Sequence, residues 1–115
     1  MLCAPAHAET LACHADLDAG AHYDLTASVS GTSIAGDVSL RYEDEENQKQ
    51  AALKPAAQTL RKGSGIHFTA ANANMEARVE ADYDPSGAAY DGALTVLFHV
   101  ENVPPVELPV RCTWN

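Results

Sequence analysis

The sequence has few aromatic residues, few basic residues and no long hydrophobic run. Its 115 residues include two Phe, four Tyr and one Trp, although apolar residues make up 46% of the chain. Many of these apolar residues are alanines, so we expect one thin core that a covalent tie would help to stabilise. No stretch approaches the ~18 consecutive apolar residues that a spanning helix needs, and we predict no membrane span.

Positive charge is also scarce. Seven Lys and Arg residues face 16 Asp and Glu residues, which gives a formal net charge of -9. Such a surface repels phosphate backbones and anionic lipids, so we predict that nucleic acid is not a partner. A basic protein is the partner that this charge favours.

Motifs for catalysis are missing as well. The sequence contains no Gly-x-Ser-x-Gly elbow, no phosphate-binding loop and no His-Glu-x-x-His pair. Acidic pairs are abundant in a chain of this charge, and none is singled out for acid–base work. We therefore predict a protein that is not an enzyme and uses no cofactor.

The first eight residues resemble the end of a signal peptide. Ala6-His7-Ala8 fits the small-x-small pattern before a cleavage site. We therefore expect residues 1–8 to be a signal-peptide remnant and residues 9–115 to form one exported β domain, periplasmic or secreted. Cleavage would remove Cys3 and leave Cys13 and Cys112, which an oxidising compartment would join in a disulfide. In a cytosolic protein the two would instead be free buried thiols.

Period-two alternation of apolar and polar residues dominates the rest of the chain and predicts half-buried strands. The expected inward residues are Leu11, Cys13, Ala15 and Leu17; Tyr23, Leu25, Ala27 and Val29; Ile34, Gly36, Val38, Leu40 and Tyr42; Ile66, Phe68 and Ala70; Met75, Ala77, Val79, Ala81 and Tyr83; Leu94, Val96, Phe98 and Val100; and Val106, Leu108, Val110, Cys112 and Trp114. Turn residues separate these runs, at Ser30-Gly31-Thr32, Asn72-Ala73-Asn74, Asp84-Pro85-Ser86-Gly87 and Pro104-Pro105.

The segment 45–61 lacks this alternation. We expect a short helix or an irregular acidic loop near Asp44 to Gln50, followed by an extended piece around Ala52 to Leu60. Counting that piece gives about eight strands in an all-β antiparallel domain. An even number of hairpin-connected strands brings the first and last together, so we predict a small up-and-down barrel, with a β-sandwich as the alternative. Cys13 and Cys112 both fall in the inward phase and would join the terminal strands.

Two sets of residues are candidate metal sites. If the first hairpin is centred on Asp18, His14 lies directly opposite His22, and Asp24 or Asp16 could complete a zinc or copper site. Two solvent-facing histidines are the competing interpretation. Asp82, Asp84 and Ser86, with Asp91 nearby, resemble the first half of a calcium loop. A plain turn is the alternative there, because position twelve of the motif would be Ala93.

The acidic run Glu43, Asp44, Glu45 and Glu46 is the third candidate, either a docking surface for a basic protein or a solvated loop. From these features we predict a non-enzymatic interaction or inhibitor-type module with an acidic surface. Two alternatives stay open, a metal-binding domain and a small barrel that binds an apolar ligand.

Overall fold

A computed structural model describes residues 9–56 and 65–114, which form a closed antiparallel barrel with up-and-down topology. Its strands are β1 (Glu9–Asp16), β2 (His22–Ser30), β3 (Ser33–Glu43), β4 (Gln48–Pro55), β5 (Ile66–Ala71), β6 (Met75–Asp84), β7 (Ala89–Phe98) and β8 (Val106–Trp114). The predicted barrel of eight strands is therefore confirmed. The predicted signal-peptide remnant, residues 1–8, lies outside the described residues.

Alternating side chains of every strand fill the interior. The fully buried large residues include Phe68, Leu11, Leu25, Leu53 and Leu94, and none of the buried side chains in the described part of the chain is polar or charged. Small residues such as Ala27, Ala70 and Ala77 are buried between them. An eight-stranded barrel is narrow enough for side chains to fill it, so alanines and a few large residues suffice as a core.

The predicted disulfide closes the barrel. β1 pairs with β8, and Cys13 lies directly opposite Cys112 with their Cα atoms 4.0 Å apart. Both side chains are buried. The bridge joins residues 99 positions apart, and it connects the first strand of the barrel to the last.

Tight turns form where the sequence predicts them. Gly31, with φ +64°, and Thr32 connect Ser30 to its partner Ser33. At the β5–β6 corner the Asn72 side chain accepts hydrogen bonds from the backbone N–H groups of Asn74 and Met75, at 2.8 and 2.9 Å. These side-chain acceptors satisfy backbone donors that the chain reversal leaves unpaired.

The expected helix near Asp44 to Gln50 does not form. The alternative, an irregular acidic loop, is confirmed only for residues 44–47, because β3 ends at Glu43 and β4 already begins at Gln48. The Asp44 carboxylate accepts the backbone N–H groups of Glu46 and Asn47 at 2.8 and 2.6 Å. This local capping defines a turn and outweighs the helix propensity of the neighbouring residues. The extended piece is confirmed as far as Pro55, and its remainder, 57–60, lies outside the described residues.

Three expected inward positions are exposed. Tyr83 is 44% exposed near the end of β6, and Val100 is 62% exposed because β7 ends at Phe98. Gly36 lies in an irregularity of the β2–β3 register with φ +77°, a conformation that suits glycine. Alternation therefore predicts which side chains face the core within regular strands, and it fails at strand ends and at the irregularity of β3.

Candidate ligand site at the mouth of the barrel

One end of the barrel opens into an apolar cavity of about 390 Å³. Tyr23, Leu40, Tyr42 and Ala51 form one wall, contributed by β2, β3 and β4. Met75 at the start of β6 and Phe98 at the end of β7 form the other, with Lys49 and Gln50 also lining the cavity. Tyr42, Ala51, Met75 and Phe98 are only partly buried against the core. Apolar surface is therefore accessible from solvent inside a concave site.

The mouth is open because β4 extends beyond β5 at this end of the barrel. Their described pairing consists of Lys54 with Ala71 and Pro55 with Ala70, followed by a hydrogen bond from the Ala56 N–H to the Thr69 carbonyl oxygen. β5 ends at Ala71 while β4 extends back to Gln48, so the first half of β4 lies beyond the end of β5. The cavity lies there, between Ala51 and Met75.

Two tyrosines form a corner of the cavity. The ring centroids of Tyr23 and Tyr42 are 5.3 Å apart and the rings are inclined at 56°. The Tyr42 hydroxyl donates a hydrogen bond of 2.8 Å to the Asp44 carboxylate. This bond raises the pKa of Tyr42, and burial raises the pKa of Tyr23. Both phenols are therefore neutral at physiological pH, and their rings supply aromatic surface to the site.

The acidic run lies beside this cavity. Asp44, Glu45 and Glu46 line a second depression together with Asp18, and Tyr42 lines both spaces. The Tyr42 hydroxyl, and then the backbone N–H groups of Glu46 and Asn47, lower the pKa of Asp44. Asp44 is thus ionised at the rim. Glu43, the first residue of the run, forms an ion pair of 3.0 Å with Arg41.

The expected cross-strand pairing of His14 with His22 is wrong. The register places His14 opposite Asp24 and His22 opposite Asp16. A 3₁₀ turn at Asp18–Gly20, in which Gly20 has φ +78°, moves the centre of the hairpin one residue beyond Asp18. That shift moves each partner by two positions, so the histidines keep their outward face and become diagonal neighbours with ring centroids 5.2 Å apart.

Carboxylates occupy both ring nitrogens of His14. Nδ1 is 2.6 Å from Asp24 and Nε2 is 2.7 Å from Asp16. These bonds, the one to Asp24 foremost, raise the pKa of His14. His22 also contacts Asp24, at 3.2 Å. Within residues 9–56 and 65–114, no three His, Cys, Asp or Glu side chains are arranged to hold a metal ion, so the metal hypothesis stays a prediction.

The calcium candidates lie around an arginine. Asp84 accepts hydrogen bonds from the Ser86 N–H and hydroxyl, at 3.0 and 2.7 Å, as in a side-chain-capped turn. Arg111 makes two bonds to Asp91, of 2.8 and 3.1 Å, and lowers the pKa of that carboxyl. Asp82 lies opposite Asp91 in the β6–β7 register. An arginine already supplies positive charge here, and calcium binding also stays a prediction.

Sequence reasoning did not identify the residues that line the mouth. Tyr23, Leu40, Tyr42, Met75 and Phe98 were recognised only as inward positions, and Ala51 had no assigned facing. Most of them lie near strand ends, which is their shared signal. The cavity, however, depends on β4 extending beyond β5, and the alternation of apolar and polar residues does not encode this difference.

No family model, curated protein or solved structure matches the chain. Among the described residues, no helix has the length and hydropathy needed to cross a membrane.

Proposed function

We propose that this protein is a non-enzymatic binding module of an exported compartment, periplasmic or secreted, which holds an apolar group in the mouth of its barrel. The observation that carries the proposal is the solvent-accessible cavity of about 390 Å³. That volume falls in the range of small-ligand sites, roughly 300–1,000 Å³, and apolar and aromatic side chains are the usual lining of such sites.

The chemistry of the lining favours binding over catalysis. Besides two tyrosine hydroxyls, the polar groups contributed by the described lining residues are the Lys49 ammonium and the Gln50 amide. Nucleophilic catalysis needs a nucleophile that a base within hydrogen-bond reach activates. The Tyr42 hydroxyl contacts the Asp44 carboxylate, but that hydrogen bond raises the pKa of the phenol and does not favour its ionised, nucleophilic form. The open end of this barrel resembles the ligand-binding end of other small barrels that enclose one ligand.

The buried Cys13–Cys112 bridge supports the proposed compartment. Disulfides persist in oxidising environments and are rare where cellular thiols are kept reduced. The bridge is consistent with export, and periplasmic or secreted location is part of the proposal.

Binding of N-phenyl-1-naphthylamine, a neutral apolar dye that fluoresces in apolar surroundings, tests the function. We expect a saturable rise in fluorescence that Ala51→Phe abolishes, because the added ring would occupy the cavity. Ala52→Phe is the matched control, since Ala52 is exposed on the adjacent position of β4. No saturable signal, or equal loss in both folded variants, would contradict the proposal.

Docking of a basic protein is a second candidate, favoured by the exposed Glu45 and Glu46 at the same end of the barrel. Screening by salt should weaken such docking. We expect Glu45→Gln/Glu46→Gln to reduce capture of a basic partner at low salt. Asp37→Asn/Asp82→Asn removes two exposed charges elsewhere and should not. Equal effects of the two double variants would contradict a defined acidic docking surface.

A further inference from the structure

We propose that the mouth cavity selects a cationic amphiphile, a ligand in which an N-alkylated ammonium group adjoins an apolar body. This inference rests on the proposed function and adds the chemical class of the ligand. It follows from three features of the mouth: the charge at its rim, the aromatic corner and the small number of hydrogen-bond acceptors in its lining.

The rim carries excess negative charge. Asp18, Asp44, Glu45 and Glu46 line the depression that shares Tyr42 with the cavity, whereas Lys49 is the one basic residue among the described lining of either space. Four carboxylates against one ammonium produce a local potential that attracts cations and opposes anions. Gly20 lies close to Glu45, so the β1–β2 turn and the β3–β4 turn contribute to the same rim.

The aromatic corner suits a cation that sheds its hydration easily. Tyr23 and Tyr42 meet at 56°, and Phe98 adds a third aromatic side chain to the lining of the same cavity. Tilted aromatic rings around a small space are the arrangement that recognises quaternary ammonium groups through the negative faces of the rings. The hydrogen bond from the Tyr42 hydroxyl to the Asp44 carboxylate adds a negative charge behind one of these rings.

The lining distinguishes an alkylated ammonium from a primary amine. A primary ammonium has three N–H donors that need acceptors when they leave water. Leu40, Ala51, Met75 and Phe98 have no side-chain oxygen or nitrogen atoms, and they line the space where the ligand body would lie. An alkylated nitrogen needs no acceptor, and its alkyl chain would bury apolar surface against these residues.

Competition against bound N-phenyl-1-naphthylamine tests the inference with three probes that share one alkyl chain, below their micelle concentrations. The probes are octyltrimethylammonium, octyl sulfate and neutral 1-octanol. We expect the cation to displace the dye about tenfold more effectively than the sulfate, a ratio within the range of cation–π and charge effects. The ratio should fall as salt is raised.

Variants assign the selectivity to the rim and the corner. Glu45→Gln/Glu46→Gln should lower the ratio of cation to sulfate affinity, whereas Asp37→Asn/Asp82→Asn should leave that ratio unchanged. Tyr42→Leu should weaken binding of the cation more than binding of 1-octanol. Tyr42→Phe should retain most of the affinity for the cation, because the aromatic ring is kept. Circular dichroism and the unfolding midpoint check that each variant is folded.

The outcomes separate this inference from the proposed function. Equal affinity for the three probes, or preference for the sulfate, would overturn cation selectivity and leave an apolar site in place. Failure of the dye itself to bind would overturn the proposed function. A cation preference that both double variants reduce equally would mean that overall charge, and not this rim, attracts the ligand, and would also overturn the inference.

Discussion

At the residue scale, charged side chains of the outer surface form a row across the strands. Asp91 on β7 lies opposite Arg111 on β8, which lies opposite His14 on β1; His14 in turn lies opposite Asp24 on β2, and Asp24 opposite Arg41 on β3. Neighbouring charges along this row are opposite in sign except between Arg111 and His14, where protonation of His14 places two positive charges opposite each other. Cross-strand pairs of opposite charge stabilise a sheet modestly, so the pairs of Asp91 with Arg111 and of Asp24 with His14 and Arg41 contribute to the register of their strands.

The protonation of His14 makes part of this row depend on pH. Asp24, and then Asp16, raise the pKa of His14 above its ordinary value. A raised pKa in the folded state stabilises the protein below the unfolded-state pKa of about 6.5, and this contribution is lost as pH rises through the folded-state pKa. Because His14 is about half exposed, we expect a small contribution.

His14→Gln tests this dependence. The denaturant midpoint of the variant should fall below that of the parent by more at about pH 5.5 than at about pH 8.5, since only the parent gains the protonated contacts at low pH. Urea titrations at the two pH values measure the difference, and Asp24→Asn should reduce it. A gap that is constant, or wider at the higher pH, would show that the two carboxylates do not stabilise His14 as a cation.

At the element scale, alternation predicts the strands because a half-buried sheet requires it. The inward faces of β2, β5 and β8 follow the expected residues, and so does the inward phase of Cys13 and Cys112. The register of the first hairpin did not follow, because a 3₁₀ turn of three residues centred the loop one position later. The side of the sheet on which a residue lies depends only on whether its position along the strand is odd or even. The residue that it pairs with on the neighbouring strand depends on the geometry of the connecting loop.

The two elements that define the mouth were the least predictable. The residues around Glu45 and Glu46 favour a helix, and the sequence therefore did not predict the turn that they form. That turn depends on hydrogen bonds from the backbone N–H groups of Glu46 and Asn47 to the Asp44 carboxylate. At this end of the barrel β4 extends back to Gln48 while β5 ends at Ala71, and no local pattern in the sequence specifies this difference. The acidic rim was visible in the sequence, but the apolar cavity beside it was not.

At the scale of the whole molecule, the disulfide compensates for a thin core and a short closing seam. β1 and β8 share four residue pairs, and one of these is the bridged pair itself. A cross-link over roughly 100 residues removes chain entropy from the unfolded state, by about 4.7 kcal/mol in the loop-entropy treatment. The bridge therefore stabilises the closed barrel more than its local contacts would suggest.

We expect Cys13→Ala/Cys112→Ala to lower the free energy of unfolding by about 2–5 kcal/mol. Urea denaturation of the parent and the variant measures this loss, and reduction of the parent under denaturing conditions should reproduce it. Amide hydrogen exchange should show the largest loss of protection in β1 and β8. A change below about 1 kcal/mol would mean that the seam is stable without the bridge.

The central claim is that the open end of the barrel binds an apolar group, and Met75 reports on it directly. The chain has two methionines, Met1 and Met75, and the latter lines the cavity. With isotope-labelled methionine methyl groups, titration with octyltrimethylammonium should shift the Met75 signal saturably, and Ala51→Phe should abolish that shift. A Met75 signal that stays unchanged up to the highest octyltrimethylammonium concentration of the titration would contradict the claim.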